Sequence, residues 1–309
     1  MTPPPPSDHR VVGVDIGGTR IKAVALQNGS NDVVAEQVLP TPPDVGARLA
    51  EVVQQVTEML TPHAPASPVA ATGVALPGLV DERHGMGYFS ANLGWSDLPA
   101  QQLLETHLGT PVALGHDVRA GLLGEARFGA ARGCDDVLFV PLGTGVAGAL
   151  LTSGQLVLGS EWTGEIGHIV IDPNGALCGC GARGCVETVA GARGLAARWH
   201  EHTGRLGGAD EVAAAAAAGD RVATQLWSAL IDAVGQVVAP VVAAAGTRLV
   251  LLGGGVSNAG DQLTIPLSDR LEQLLPHRQV QVRVAELGDR AAALGAAVMA
   301  RNRLEMLAP

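Results

Sequence analysis

One short segment of this chain concentrates side chains that bind metal ions or accept hydrogen bonds. It contains one histidine, three cysteines and two glutamates: Glu165, His168, Cys178, Cys180, Cys185 and Glu187. The spacing Cys-x-Cys-x4-Cys after a histidine fits closed tetrahedral zinc, with no open position for a catalytic water. We expect a structural zinc that orders the loop and leaves the glutamates free to accept hydrogen bonds from the hydroxyl groups of a ligand. The alternative is three reduced thiols packed without a metal.

Two glycine turns at distant points of the chain are candidate phosphate-binding elements. Their residues are Asp15, Gly17, Gly18, Thr19 and Lys22 for the first turn, and Gly143, Thr144 and Gly145 for the second. Glycine turns leave backbone N–H groups free to face an anion, and an aspartate at a strand end can hold a divalent ion. A single turn of this kind is as well explained as a plain hairpin, but two copies favour binding of a polyphosphate. Neither turn has a Walker A or a GxGxxG pattern.

Two further positions could take part in phosphoryl transfer. A hydroxyl that attacks a phosphoryl group needs a carboxylate to accept its proton. Asp117, at an expected junction of strand and helix, is the candidate base; an isolated aspartate there is otherwise a helix N-cap. Gly254 and Gly255 follow an apolar strand and could let a flat base lie against the backbone, or they form a simple strand-to-helix turn.

The elements that must position these residues form two similar halves. Strands are expected at 10–14, 20–27, 32–38, 70–75, 137–142, 146–151, 155–158, 248–252 and 279–284, and helices at 49–60, 117–128, 187–202, 211–218, 222–245 and 291–307. The strand-turn-strand unit recurs far along the chain, which favours two homologous α/β lobes over a solenoid of short repeats.

Composition restricts the class of protein. The chain has 309 residues, 47% of them hydrophobic, a formal net charge of -10 and only four cysteines. The negative charge and the lack of a basic stripe argue against nucleic acid as a partner. We expect no apolar run close to the roughly 20 residues that span a membrane, a disordered proline-rich tail at 1–10, and a cytoplasmic protein. Cys134, outside the cluster, is expected to be a small buried hydrophobe.

At these residues the chain resembles the ROK family of sugar kinases, within the actin/hexokinase/Hsp70-like ATPase superfamily. The resemblance extends from Val11 to Arg301, and the members that the chain looks most like are bacterial ATP-dependent glucokinases. The matching segments are Asp15 to Thr19, Ala75 to Gly78, Asn92 to Trp95, Gly143 to Gly145, Glu165 to His168, and Cys178 to Glu187. The resemblance implies an α/β fold with two RNase H-like lobes and a cleft between them. The implied limits are a small lobe of 11–117 with 291–309 and a large lobe of 118–290.

The resemblance also implies roles for individual residues. Asp117 would be the general base, and the sugar would be bound by Pro77, Gly78, Asn92, His116, Asp117, Glu165, His168 and Glu187. ATP would be bound by Asp15, Gly17, Gly18, Thr19, Lys22, Gly143, Thr144, Gly145, Gly254 and Gly255, with magnesium near Asp15. Zinc would be held by His168, Cys178, Cys180 and Cys185. The family tends to form dimers or tetramers.

The expected reaction is transfer of the γ-phosphoryl group of ATP to the 6-hydroxyl of glucose. Alternatives are a kinase for N-acetylglucosamine, N-acetylmannosamine, fructose or mannose, and a sugar-sensing protein with weak turnover. Both alternatives follow from His116, since the family usually has asparagine at this position. The donor could be polyphosphate instead of ATP, and a zinc-binding interaction module would leave the glycine turns unexplained. We expect no N-terminal helix-turn-helix domain of the kind that the family's repressors carry.

Overall fold

The computed structural model describes residues 9–61 and 68–307, and the structural statements below concern these residues. The tail predicted at 1–10 lies mostly outside them. The described residues fall into two compact units, one within Met1–Arg132, Leu158–Trp162 and Asp289–Pro309, the other within Gly133–Val157 and Thr163–Gly288. The sequence-based limits put residues 118–132 with the second lobe, whereas the first unit contains them. The division into a small lobe and a large lobe with these limits stays a prediction.

The first unit contains one five-stranded sheet and one three-stranded sheet. The strands are β1 (Arg10–Ile16), β2 (Arg20–Gln27), β3 (Val33–Pro40), β4 (Val69–Leu76), β5 (Leu79–Asp81), β6 (Met86–Ser90), β7 (Trp95–Leu98) and β8 (Val112–His116). The large sheet has the order β3-β2-β1-β4-β8, in which β1 is antiparallel to β2 and parallel to β4. Parallel strands β4 and β8 therefore end at the same edge as β1, where Asp15 and His116 lie.

Three helices of the first unit lie between its strands or directly follow them. They are α1 (Leu49–Leu60), α2 (Ala100–Leu108) and α3 (Asp117–Phe128). Apart from the exposed Met59, the apolar residues of α1 at helical spacing are buried, and they pack with Val12, Val14 and Ile16 of β1 in one hydrophobic core. This burial holds β1, and with it the first glycine turn, against a rigid layer.

The second unit repeats the sheet of the first. Its elements are β9 (Val137–Pro141), β10 (Ala149–Thr152), β11 (Gln155–Leu156), α4 (Glu187–Ala190), α5 (Ala192–Thr203), α6 (Ala209–Ala217), α7 (Arg221–Ala245), β12 (Leu249–Gly253), α8 (Asp261–Leu274) and β13 (Gln281–Val284). The order β11-β10-β9-β12-β13 has the same sequence of antiparallel and parallel pairs as the first sheet. The predicted internal duplication is therefore confirmed.

The last helix, α9 (Ala291–Leu307), packs against the first sheet and α3 through glycines. A Cβ atom on Gly295 would lie 1.7 Å from the carbonyl oxygen of Ala120, and one on Gly73 would lie 1.8 Å from that of Ala296. No other residue fits so close an approach of two backbones. The C-terminal helix is thus a fixed part of the first unit.

Several elements differ from the sequence-based expectation. The strands β5 to β7 and the helices α2 and α8 were not predicted. The helix expected at 187–202 is interrupted at Gly191, whose ψ of 147° is extended, because the next N–H, that of Ala192, donates to the carbonyl oxygen of Gly143 in the second glycine turn at 2.8 Å.

The expectation that no apolar run approaches membrane length was wrong for α7. This helix is long and apolar enough to cross a membrane, although half of its most apolar stretch is buried within the protein. Residues such as Leu230, Val234 and Val238 lie in the hydrophobic core of the second unit. The apolar length of α7 is thus explained by its position as a core helix.

Candidate active site and metal centre

The first glycine turn joins β1 to β2 and is fixed by Thr41. The Thr41 hydroxyl donates to the carbonyl oxygen of Gly17 at 2.6 Å, and the Thr41 N–H donates to that of Thr19 at 3.0 Å. Gly18 and Thr19 are exposed, and a Cβ atom on Gly18 would lie 3.4 Å from the Cβ atom of Asn92. The structure therefore brings a predicted sugar-binding residue next to the predicted phosphate turn.

Asp15 and Lys22 are directly opposite each other on β1 and β2, where their side chains meet at the base of this turn. The Lys22 Nζ atom lies 3.4 Å from Asp15 Oδ2 and 4.0 Å from Asp289 Oδ1. Burial raises the pKa of Asp15 to about 7, and the nearby Asp117 carboxylate adds to the rise while Lys22 opposes it. A buried carboxylate whose ionisation is disfavoured further by a second carboxylate nearby is one that a divalent cation would stabilise. The donor set near Asp15 thus fits magnesium.

Asp117 is the first residue of α3, at the carboxyl edge of the first sheet. Burial raises its pKa to about 6, while the N–H of Val118, which donates to Asp117 Oδ1 at 2.7 Å, partly opposes the rise. Its side chain nevertheless keeps 32% of its surface exposed. A carboxylate with a pKa near neutrality and an open face can accept a proton from a bound hydroxyl.

His116 caps the helix that carries Asp117. Its Nδ1 atom accepts the N–H of Val118 at 3.3 Å, so the N-cap of α3 is the residue before Asp117, and the alternative interpretation of Asp117 as the N-cap was wrong. Burial, together with the positive charge of Arg119, lowers the pKa of His116 to about 3. A neutral imidazole therefore occupies the position at which the family usually has asparagine.

A buried ion pair that was not predicted from the sequence lies behind Asp117. Arg119 is only 1% exposed, and its Nε atom donates to Glu82 Oε1 at 2.8 Å. The same Glu82 oxygen accepts the backbone N–H of His116 at 2.8 Å. The signal in the sequence was an arginine on the inner face of a helix whose other buried residues, apart from Glu125, are small or apolar, since arginine is almost never buried without a partner.

The turn at Pro77 and Gly78 follows β4 and leads into β5. Gly78 has a φ angle of +103°, and a Cβ atom on it would lie 2.2 Å from the carbonyl oxygen of Phe89. Only glycine fits this conformation and this contact. Both predicted sugar-binding residues of this turn are half-buried at the edge of the sheet that also carries Asp117.

In the second unit, the second glycine turn packs against the Gly253-Gly254-Gly255 segment. The N–H of Val256 donates to the carbonyl oxygen of Leu142 at 3.1 Å, and a Cβ atom on Gly254 would lie 2.4 Å from the same oxygen. Gly254 has a φ angle of +77°. Two predicted nucleotide-binding elements are therefore neighbours, and Gly254 allows their contact.

The four predicted zinc ligands lie together. The ligand atoms of His168, Cys178, Cys180 and Cys185 are all within 4.8 Å of one another. Cys180 Sγ lies 3.6 Å from Cys185 Sγ, and Cys178 Sγ lies 3.6 Å from His168 Nδ1. Two zinc–sulfur bonds of about 2.3 Å at the tetrahedral angle place their sulfur atoms about 3.8 Å apart. The cluster is therefore compatible with structural zinc.

The predicted sugar-binding carboxylates lie around this cluster. Glu187 Oε1 accepts from the Cys178 thiol at 3.0 Å, and Glu165 Oε2 lies 3.6 Å from His168 Nε2. Glu187 also reaches the second glycine turn, since a Cβ atom on Gly145 would lie 2.7 Å from Glu187 Oε2. One side of the histidine ring thus faces the thiols, and the other faces a carboxylate.

A cavity of about 350 Å³ lies beside the metal cluster within the second unit. Its lining includes Thr144 of the second glycine turn and Arg193 and Arg198 of α5. It also includes Cys178 and Glu187 of the metal loop, the segment 165–187 that contains the predicted zinc ligands. Sequence reasoning missed both arginines, because nothing in a short surface helix indicates which side chains border a cavity.

The chain is similar to known proteins over nearly its whole length. The sequence pattern of the ROK family matches residues 11–303. A glucokinase of Thermotoga maritima is 32% identical over 96% of this chain and 98% of its own length. An N-acetylmannosamine kinase of Citrobacter koseri is 32% identical over 94% of this chain and 98% of its own. A ROK family glucokinase from Streptomyces griseus, solved with glucose and AMPPNP, is 30% identical, has a TM-score of 0.79, and covers 95% of this chain and 99% of its own.

These matches confirm the predicted fold class, with two RNase H-like lobes of the actin/hexokinase/Hsp70-like superfamily. The match of the family pattern covers nearly all of the chain, and the conserved topology of both sheets accompanies it. The chain belongs to the ROK family.

Proposed function

We propose that this protein is an ATP-dependent hexose kinase that phosphorylates glucose at its 6-hydroxyl. The observation that carries the proposal is the partly exposed carboxylate of Asp117, whose pKa is raised to about 6. It lies near the charged side chains of Asp15 and Lys22, next to the first glycine turn. The similarity to glucokinases over nearly the whole chain supports both the sugar and the donor.

Asp117 accepts the proton of the 6-hydroxyl as the oxygen attacks the γ-phosphorus of ATP. A bond forms between this oxygen and phosphorus, the bond to the β-phosphate oxygen breaks, and ADP leaves. At neutral pH a carboxyl group with a pKa of about 6 is mainly ionised, so it is free to accept a proton. Its raised pKa also makes it a stronger base than an ordinary aspartate. The backbone N–H groups of the two glycine turns bind the phosphates.

The ions have separate roles in this proposal. Magnesium, held by Asp15, supplies screening of the phosphate charges when it is bound. Zinc, held by His168 and the three cysteines of the cluster, is structural, because four protein ligands leave no open position for chemistry. Glu165, His168 and Glu187 are then fixed where they accept or donate hydrogen bonds to ring hydroxyls.

A kinase for another hexose is the second candidate. Two observations favour it: the similarity to an N-acetylmannosamine kinase, and the buried His116 in place of the asparagine usual in the family. A change at this position would alter the hydrogen bonds offered to a sugar beside Asp117.

A panel of sugars and phosphoryl donors on purified protein tests both candidates. We expect the highest kcat/KM for glucose with ATP and magnesium, measured as sugar-dependent release of ADP. A higher kcat/KM for N-acetylmannosamine or another hexose would replace glucose as the substrate, and faster transfer from polyphosphate would replace ATP as the donor. Absence of sugar-dependent release of ADP across the whole panel would contradict the proposal that the protein is a hexose kinase.

A further inference from the structure

The residues that precede and follow Asp117 are attached to a distant part of the chain. The N–H of His116 donates to Glu82 Oε1, and Arg119 donates to the same oxygen through Nε, each at 2.8 Å. Arg119 Nη2 also donates to the carbonyl oxygen of Val80 at 2.9 Å. Three hydrogen bonds thus connect the start of α3 to the segment 80–82.

The segment 80–82 continues directly from the turn at Pro77 and Gly78. Asp81 fixes the next turn by accepting the N–H groups of Arg83 and His84 at 3.0 and 3.1 Å. Glu82 is therefore held in a rigid turn between β5 and β6. The Glu82–Arg119 pair connects two predicted sugar-binding elements of the first unit, the turn at 77–78 and the base at Asp117.

The charges of this pair are shielded from water. The Arg119 side chain is 2% exposed and that of Glu82 is 9% exposed. A buried ion pair contributes little net stability compared with apolar residues of the same size, because both charges lose their hydration. The directional hydrogen bonds from Arg119 to Glu82 and to the Val80 carbonyl, by contrast, restrict where the neighbouring backbone can lie. Stability alone is thus a poor explanation for placing it behind a catalytic carboxylate.

We propose that Glu82 and Arg119 are positioning residues that hold Asp117 at a fixed place relative to the sugar-binding turn at Pro77 and Gly78. The inference rests on the proposed role of Asp117 as the base. Catalysis by a general base depends steeply on geometry, and displacement of a reacting group by about 1 Å costs about 100-fold in rate. Loss of the pair should therefore reduce kcat far more than it changes KM for the sugar.

Two conservative substitutions test the proposal. Arg119→Lys keeps the charge but loses the planar fork, and Glu82→Gln keeps the shape but loses the charge. We expect kcat to fall by about 10- to 100-fold in Arg119→Lys and about 5-fold in Glu82→Gln, with KM for glucose within about 3-fold of the unmodified protein.

Two control variants separate positioning from stability. Arg303→Lys makes the same change in the ion pair with Glu105 of the first unit, and Leu104→Ala creates a cavity in its core. Both should keep kcat within 2-fold, although Leu104→Ala lowers Tm. The proposal is overturned if Arg119→Lys and Glu82→Gln keep normal kcat, or if their kcat falls only as much as that of Leu104→Ala at equal loss of Tm.

The same series distinguishes this inference from the proposed function. If Asp117→Asn keeps normal kcat, the assignment of the base fails, and the positioning role fails with it. If Asp117→Asn loses kcat while the two positioning variants do not, the positioning role alone is wrong.

Discussion

The two glycine turns occupy the same place in two sheets of the same topology, yet their surroundings differ. The first turn has a buried aspartate and a lysine at its base, and it lies near Asp117. The second is backed by Gly254 and Glu187 and carries no charged side chain of its own. The two sheets therefore share their topology, while the first turn has an aspartate and a lysine at its base and the second is backed by a glycine and a glutamate. We propose that proton transfer and magnesium binding belong to the first unit, and that the metal loop of the second unit adds sugar contacts to those predicted at Pro77, Gly78 and Asn92 in the first.

The strongest test of this division removes the proposed base. Asp117→Asn should lower kcat by about 1000-fold while leaving Tm nearly unchanged, since it removes proton acceptance and preserves shape. A coupled assay for ADP measures the loss, and Asp261→Asn is a matched control, because Asp261 is the first residue of helix α8 in the second unit. Normal kcat in Asp117→Asn would end the assignment of proton transfer to the first unit.

Removal of the Asp15 charge should affect activity and pH-dependent stability in opposite ways. The pKa of Asp15 rises from 3.8 to about 7 on folding, so the native state binds a proton that the unfolded state loses. Stability from this group is present below pH 4 and is lost as pH rises through about 7. Asp15→Asn should therefore raise Tm at pH 8 without added magnesium and raise it less at pH 5.5, while kcat falls by about 100-fold.

Thermal unfolding at the two pH values measures this effect, with Asp289→Asn as the control for an exposed carboxylate near the same lysine. An equal change of Tm at both pH values would mean that ionisation of Asp15 does not destabilise the folded protein.

Disruption of the metal cluster should affect the second unit's predicted role. Cys180→Ser should reduce zinc content, raise KM for the sugar by about 10-fold and lower Tm by about 5 °C, because the loop loses a ligand that orders it. Cys134→Ser, a cysteine outside the cluster, is the control. Absence of zinc from the unmodified protein by metal analysis would remove the basis for this prediction.

The smallest effect is expected from the backbone contact behind the second turn. Gly254→Ala should raise KM for ATP a few-fold and lower stability by about 1–3 kcal/mol, because its φ of +77° and its contact with Leu142 exclude a Cβ atom. Gly219→Ala is the matched control, since Gly219 has a φ of +85° but a Cβ atom there meets no atom within 4 Å. Equal KM for ATP in both variants would show that the packing of Gly254 does not shape the nucleotide site.

Much of the fold could be predicted because local patterns were clear. The helix expected at 117–128 begins and ends where the structure has it, and the duplicated strand-turn-strand unit is confirmed. The break at Gly191 could not be predicted, because its cause is the approach of a turn almost fifty residues earlier in the chain. The strands β5 to β7 are short, and short strands carry too few residues for a clear alternating pattern.

The sequence by itself determined the residue types of the candidate site: the metal ligands by their spacing, the glycine turns by their repetition, and Asp117 by its place at a strand end. Only the tertiary structure decided that His116 caps α3, and that Arg119 and Glu82 form a buried pair behind the base. The physical reason is that spacing along the chain encodes local ligand sets and turns. Burial, pKa shifts and ion pairs, by contrast, depend on residues that folding brings together from distant segments.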